Sequence, residues 1–456
     1  MTAFGKAMRS DRRAPYLVVG AGLSGLSAAL MLAERGLEVE VWEQDGCPGG
    51  LLAPVRFRGI EVDRGSHRVH RDAHDIFLRF TDSESWHERP RMGKLVMAQR
   101  HVPYPPGFVG FMRGIGLKAT SEMALGFLLR RHALTGFLNW DEHRRRSQQV
   151  DEGFERFVID RVGKSAYEKF YRPYVEKVWG ESPSALSRSV AKQRMSASKP
   201  LRSLFGDTRK ARGMRRSYFY PKDGMSSIVR QLHRKLRLSG VDIRFERTAS
   251  MAAIASSPFR NIIFSGQMTS LIPESGLRHR GLYLVYLSMP QDATADGETF
   301  YLPESRYWFG RVSRPECFSE RLRKAGETLL CIEIPEGAWG SSFDFVAHLE
   351  EIVSQLRHAG IVIDGVAPLD AHQVYLPHVY PLYHRGWQAI WRQGLDEIRR
   401  ADKRIFPVGR QGLYLHCNMD HCVSISIDAV DHITRGGSVN DWIDHVAAYR
   451  QLCVRD

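Results

Sequence analysis

One stretch constrains the chain more than any other. Residues 17–26 read "LVVGAGLSGL", which places Gly20-x-Gly22-x-x-Gly25 between a β-type run, Tyr16–Val19, and the helix-like "LSAALMLAERG". Gly20 permits a tight turn, Gly22 lets backbone approach a pyrophosphate, and Gly25 lets the following helix lie close on the strand. The free N–H groups of that helix start, with Leu23 and Ser24 in its first turn, favour an anion there. A second apolar run, "VEVWEQ", stops on Glu43, whose carboxylate is placed to accept hydrogen bonds from a ribose diol, with Gln44 beside it. Strand, glycine turn, helix, strand and terminal acid together predict a Rossmann-like dinucleotide domain.

A chain of 456 residues holds two or three domains, and 43% hydrophobic with 25% charged residues is ordinary for a globular enzyme. The net charge of +14 points to an anionic partner. Nucleic acid, an acidic membrane surface and a phosphorylated small molecule all satisfy that sign. No nucleic-acid module stands out, so the small molecule comes first and no nucleic acid is expected. Six cysteines without a CxxC pair read as reduced thiols in a cytoplasmic protein. Their tightest cluster, "HCNMDHC" (416–422), lacks the second pair that a structural zinc site needs, so no metal is expected. Nowhere do 18 apolar residues run together, which argues against a spanning helix and leaves peripheral membrane contact open. The basic run "RKARGMRR", Arg209–Arg216, reads first as a solvated loop and second as an anion-attracting rim or membrane contact. Residues 1–14 read as a frayed tail; their twin arginine precedes apolar residues that the dinucleotide motif already uses.

Further along, Gly49-Gly50 and Leu51 permit another close backbone approach, "FRGIEVD" alternates like a strand, and the turn "DRGSH" follows. From Asp72 to Trp140 the pattern reads as helical, broken at "HVPYPPGF". Phe154, Phe157 and Val158 recur at helical spacing, predicting a helix that stops at Pro173. "YFYPKDGMSSIVRQLHRKLRLSGVDIRFE" predicts turn, amphipathic helix and strand, and "FRNIIFSGQ" a buried strand. Strand patterns dominate Gly281–Leu382, with a helix near "FVAHLEEIVSQLRHAG"; strand, glycine turn and helix close the chain. The fold class expected is therefore α/β: a nucleotide domain built from residues 15–99, 211–275 and 396–456, a helical insertion at 100–210, and a mostly antiparallel sheet domain at 276–395.

These motifs resemble the FAD-dependent superfamily of amine oxidases, protoporphyrinogen oxidases, carotenoid desaturases and UDP-galactopyranose mutases. "GAGLSGLSAAL" with "VEVWEQDGCPGG" looks like its FAD-binding start, and "YFYPKDGMSSIVRQL" like its second element. "DRGSHRVH", "YRPYVEKVWG" and "GRQGLYLHCNMD" resemble mutase signatures. The resemblance implies FAD held by Gly20, Gly22, Leu23, Ser24, Gly25, Glu43, Gln44, Gly50, Leu51, Gly65, Ser66, His67, Gly409, Arg410, Asn418, Met419 and Asp420. It implies catalytic roles for His67 and Arg311, and a substrate diphosphate held by Arg311, Tyr380 and Tyr414. The chain departs from the mutases at Arg314, where an acid is usual, at His416, usually tyrosine, and at Asn418, often aspartate.

From the residues themselves, His67 in a glycine-rich turn suits acid–base work or a purely structural turn about equally. Arg311 suits bidentate phosphate binding, and Asn418 or Asp420 suits a helix cap. The function expected is an FAD-dependent oxidoreductase acting on an anionic, phosphorylated sugar-type substrate. The alternative is a redox-neutral, mutase-like sugar isomerase working from reduced flavin. Porphyrin or polyene oxidation at a membrane, and a non-catalytic FAD-binding protein, rank lower.

Overall fold

In a computed structural model of the chain, residues 16–104, 121–122, 153–195, 217–339, 342–452 and 454 are described. The run Arg209–Arg216, the residues 1–14 and the prolines 105–106 lie outside them. In chain order the first elements are β1 (Tyr16–Val19), α1 (Leu23–Glu34), β2 (Val39–Trp42), β3 (Val55–Phe57) and β4 (Ile60–Val62). β5 (Trp86–Pro90), β6 (Gly93–Met97) and β7 (Arg100–Pro103) come next, then α2 (Phe154–Val162), α3 (Arg172–Trp179) and α4 (Arg188–Met195). β8 (Ser217–Pro221), α5 (Ser226–Leu238), β9 (Asp242–Arg244) and β10 (Asn261–Phe264) lead into β11 (His279–Pro290), β12 (Thr299–Tyr301), β13 (Arg311–Ser313) and β14 (Glu327–Pro335). The chain continues through α6 (Leu349–His358), β15 (Asp370–Pro381), α7 (Trp387–Ala401), β16 (Ile405–Pro407), α8 (Met419–Thr434) and α9 (Val439–Val446).

Two sheets organise these elements. The first is parallel, in the order β16-β10-β1-β2-β9, and draws its strands from three separated parts of the chain, as the motifs predict. Its strands β1, β10 and β16 are short and largely buried, the signature of a sheet covered on both faces, while the edge strand β9 is mostly exposed. α1 packs against α8, so the first and last motifs share one layer. The second sheet, β15-β11-β14-β13-β12-β6-β7, is antiparallel except at β12–β6.

Alternation along β11 sends its side chains to two cores. Tyr283, Val285 and Leu287 meet α6, while Leu282, Leu284 and Tyr286 meet the β3–β4 hairpin. That hairpin carries the "DRGSH" turn directly onto the sheet.

Three local expectations are corrected. "FRGIEVD" is a hairpin rather than one strand, because Arg58 (φ 54°) and Gly59 (φ 81°) form a tight turn between β3 and β4. Residues 86–103 are strands rather than helix: β5 pairs with β8 and β6 with β12, partners more than 100 residues away that no local pattern reveals. The helical segment does not stop at Pro173. Pro173 sits in the first turn of α3, where a missing N–H costs nothing, and the helix runs on to Trp179 before Gly180 (φ 61°) ends it. α3 is fastened to the second sheet by Lys177, whose buried ammonium donates to the carbonyls of Leu302 (2.7 Å), Glu304 (2.6 Å) and Phe309 (3.3 Å).

Candidate flavin and substrate site

The glycine turn has the geometry its sequence predicts. Gly20 is at φ 96°, and a side chain at Gly25 would meet the Gly20 carbonyl at 1.9 Å, so α1 can approach only over glycine. A Cβ on Gly22 would meet nothing within 4 Å: that face of the turn is open, as a pyrophosphate requires. Glu43 is buried and accepts from Ala21 N (2.6 Å) and Asp45 N (2.9 Å), so its carboxylate lies against the turn. Burial pushes its pKa up despite these bonds. Leu23 and Ser24 are buried at the start of α1, whereas Gln44 is exposed.

Other segments close around this turn. Gly49 N donates to Ala21 O (2.9 Å), and Arg64 donates to Gly50 O (2.9 Å), linking the first glycine turn to the residues before His67. Leu51 is half-buried beside them. A Cβ on Gly409 would lie 2.2 Å from Ser24 Oγ, and Ser426 Oγ donates to Ser24 O (3.0 Å). The C-terminal signature therefore rests on the N-terminal one. Asn418, not Asp420, caps α8: its side chain accepts from the His421 N–H while His421 Nδ1 accepts from Asn418 N (3.2 Å). Met419 and Asp420 form the first turn, whose free N–H groups would favour an anion or the polarised edge of a ring.

At the other end stands the Gly65-Ser66-His67 turn. Asp63 anchors it, accepting from Tyr220 Oη and from Met225 N (2.9 Å), so the first and second motifs touch. Burial raises Asp63 to about 6. One row of residues crosses the sheet beneath the turn: Leu284, Glu333, Arg311 and Tyr301 are consecutive register partners on β11, β14, β13 and β12. Glu333 accepts Ser66 N (3.0 Å) and takes Arg311 bidentately, Nε at 2.8 Å and Nη2 at 2.7 Å. Burial, then the Arg311 charge, depress His67 to about 4, so its imidazole is neutral at physiological pH. His67 Nδ1 and Ser66 Oγ are buried with no partner among the described residues. Orphaned polar atoms beside an open glycine turn and a capped helix start fit a flavin dinucleotide lying between them.

The predicted substrate triad is only partly assembled. Tyr380 is half-buried, with Trp179 at 5.5 Å, His416 at 5.8 Å and the Arg410 guanidinium at 6.0 Å. Arg410 donates to Val379 O (2.6 Å) and Cys417 O (3.0 Å), holding the C-terminal loop against β15, and forms no ion pair with a carboxylate of the described residues. Tyr414 does not reach the site. It is fully buried, and its hydroxyl is directed at the carbonyls of Arg278 and Leu382 (3.0 Å). Arg311 does not offer a free fork, because Glu333 occupies it. Sequence reading missed Glu333, although an acid inside the apolar run "TLLCIEI" was its signal. It also missed the buried pair Arg68–Glu298 (3.0 Å), in which Arg68 further donates to Tyr301 Oη (2.9 Å).

Comparison with known proteins bears on the family and the fold. A family model for flavin containing amine oxidoreductase matches residues 23–251, half of the chain. The chain is 22% identical over 426 residues to a probable UDP-galactopyranose mutase of Klebsiella pneumoniae, covering 91% of this chain and 93% of that one. A match to protoporphyrinogen oxidase 2, chloroplastic/mitochondrial, of Arabidopsis thaliana is 52% identical over 52 residues, 11% of this chain, and spans only 10% of that protein's length. Among solved structures, a reduced UDP-galactopyranose mutase shares the fold with a TM-score of 0.76 at 17% identity, over 93% of this chain and 94% of that one.

Proposed function

We propose, for a chain that belongs to the flavin-containing amine oxidoreductase family and is an FAD enzyme, that it is an oxidoreductase acting on an anionic, phosphorylated sugar-type small molecule. The Arg311–Glu333 ion pair carries this reading. A mutase-like site, as the resemblance describes it, needs Arg311 and Tyr414 on the substrate diphosphate. Here Glu333 has taken the one and two carbonyls the other. A neutralised arginine under the flavin turn supports orientation of the ring system rather than capture of a diphosphate.

FAD supplies a two-electron acceptor, and the protein's residues supply the rest. Gly22, Glu43 and the α8 start would bind it, and Glu333 would keep Ser66 and His67 in register. Neutral His67, its pKa depressed to about 4, would offer Nδ1 as an uncharged hydrogen-bonding group toward the flavin edge rather than as a proton acceptor. The unpaired charge of Arg410 beside Tyr380 favours an anionic group on the substrate, with Trp179 and His416 closing the apolar side.

A second reading is a redox-neutral mutase-like isomerase, favoured by the nearly full-length likeness to the Klebsiella protein. Anaerobic absorbance titration with phosphorylated and nucleotide-linked sugars separates the two. Bleaching of the oxidised flavin band by a substrate is expected. Isomerised sugar recovered only after prior reduction, with the flavin still reduced at the end, would replace the oxidoreductase by the mutase.

A further inference from the structure

The "HCNMDHC" cluster, rejected above as a zinc site, holds two thiols in contact. Cys417 Sγ and Cys422 Sγ lie 3.6 Å apart, both buried, on either side of the Asn418 cap. Cys422 is in the first turn of α8, its N–H donating to Asn418 O (3.0 Å), where the helix N-terminus favours a thiolate. Cys417 belongs to the loop that Arg410 grips through the Cys417 carbonyl. The two sulfurs are thus unlike. The hydrogen bond between them lowers the Cys422 thiol below the usual range, and the Cys417 thiol is correspondingly pushed up. Elsewhere burial does the reverse, raising Cys317 to about 11 and Cys331 further. Low-pKa attacker and adjacent resolving thiol are the two parts that disulfide exchange requires.

We propose that Cys417 and Cys422 are a redox-active dithiol that closes to a disulfide by exchange with a small-molecule disulfide. The Cys422 thiolate attacks one sulfur of that disulfide, forming a mixed disulfide and releasing the first small thiol. Cys417 gives its proton to solvent and attacks the Cys422 sulfur, forming the Cys417–Cys422 bond and releasing the second. Two protein thiols are oxidised and one small disulfide is reduced to two thiols. Closure moves the sulfurs from 3.6 Å to about 2.05 Å and ties the Arg410-held loop to the first turn of α8. The site is independent of which substrate the flavin serves.

The test uses the FAD-loaded protein in buffers of graded reduced to oxidised glutathione, quenched in acid, alkylated with N-ethylmaleimide under denaturing conditions and cut after arginine. The peptide Gln411–Arg435 contains both cysteines and no other. Under oxidising ratios it should lose two hydrogens, about 2 Da, and take no maleimide, reverting on addition of reductant. Cys417→Ser should stop the reaction at a glutathione adduct on Cys422, and Cys422→Ser should leave Cys417 free to alkylate. Two maleimides on the wild-type peptide at every ratio, or a stable glutathione adduct on it, overturns the proposal. The wild-type result decides the matter even where a serine variant folds poorly.

Discussion

Glu333 and Arg311 form a bidentate pair across β14 and β13, with Nε–Oε1 at 2.8 Å and Nη2–Oε2 at 2.7 Å, and the same Oε1 accepts the N–H of Ser66. One carboxylate therefore neutralises the arginine and sets the Gly65–His67 turn. Glu333→Ala should leave Arg311 half-buried and unpaired, at a cost of about 3–5 kcal/mol in chemical denaturation. Glu333→Gln keeps an oxygen for Ser66 and should retain FAD better than Ala. Equal FAD retention in both would show that the Ser66 bond does not position the turn.

The two glycines of the first turn should separate folding from cofactor binding. Gly22→Ala puts a methyl into open space, so denaturation should be unchanged while FAD affinity falls. Gly25→Ala drives a methyl to within 1.9 Å of the Gly20 carbonyl, and both stability and FAD should suffer. Overpacking of this kind costs about 1–3 kcal/mol. A Gly22→Ala protein that binds FAD normally would remove the pyrophosphate from that face.

Tyr414 and Tyr380, paired by the sequence resemblance, should behave differently. Tyr414→Phe loses a buried hydrogen bond and leaves two carbonyls poorer, so about 1–2 kcal/mol of stability should go, with substrate KM unchanged. Tyr380→Phe should raise KM with stability held. A raised KM for Tyr414→Phe would return that hydroxyl to the substrate.

The pH dependence of stability should carry two opposed contributions. His67 has a folded pKa near 4, below the usual 6.5, so the unfolded chain binds its proton first and stability falls as pH drops from 6.5 towards 4. Asp63, raised to about 6, binds its proton more tightly when folded, so its contribution is present at low pH and is lost as pH rises from 3.8 through 6. His67→Gln should flatten the first slope and Asp63→Asn the second, read from urea midpoints between pH 4 and 7.5. A catalytic limb near pH 6.5 that vanishes in His67→Gln would contradict a depressed His67.

The fold was legible wherever the cause was local. Gly20, Gly22, Gly25 and Glu43 announce the nucleotide turn because its demands are largely local: a positive φ at Gly20 and the Gly20 carbonyl pressed against Gly25. Tyr16–Val19 is legible for the same reason, and so is a cap at Asn418 or Asp420, between which only the structure chose Asn418. β5 and β6 were misread as helix because their hydrogen-bond partners, β8 and β12, lie far along the chain. Among the described residues no helix is long and apolar enough to cross a membrane.

The sequence by itself determined the nucleotide sheet drawn from three segments, the glycine turn and most strands of the second sheet, since glycine spacing and strand periodicity act over short range. Only the tertiary structure decided that Arg311 is neutralised, that Tyr414 is turned into the core, and that Cys417 touches Cys422. An arginine's or tyrosine's role depends on which group ends up opposite it, and that partner is chosen by strand register and packing across distant segments.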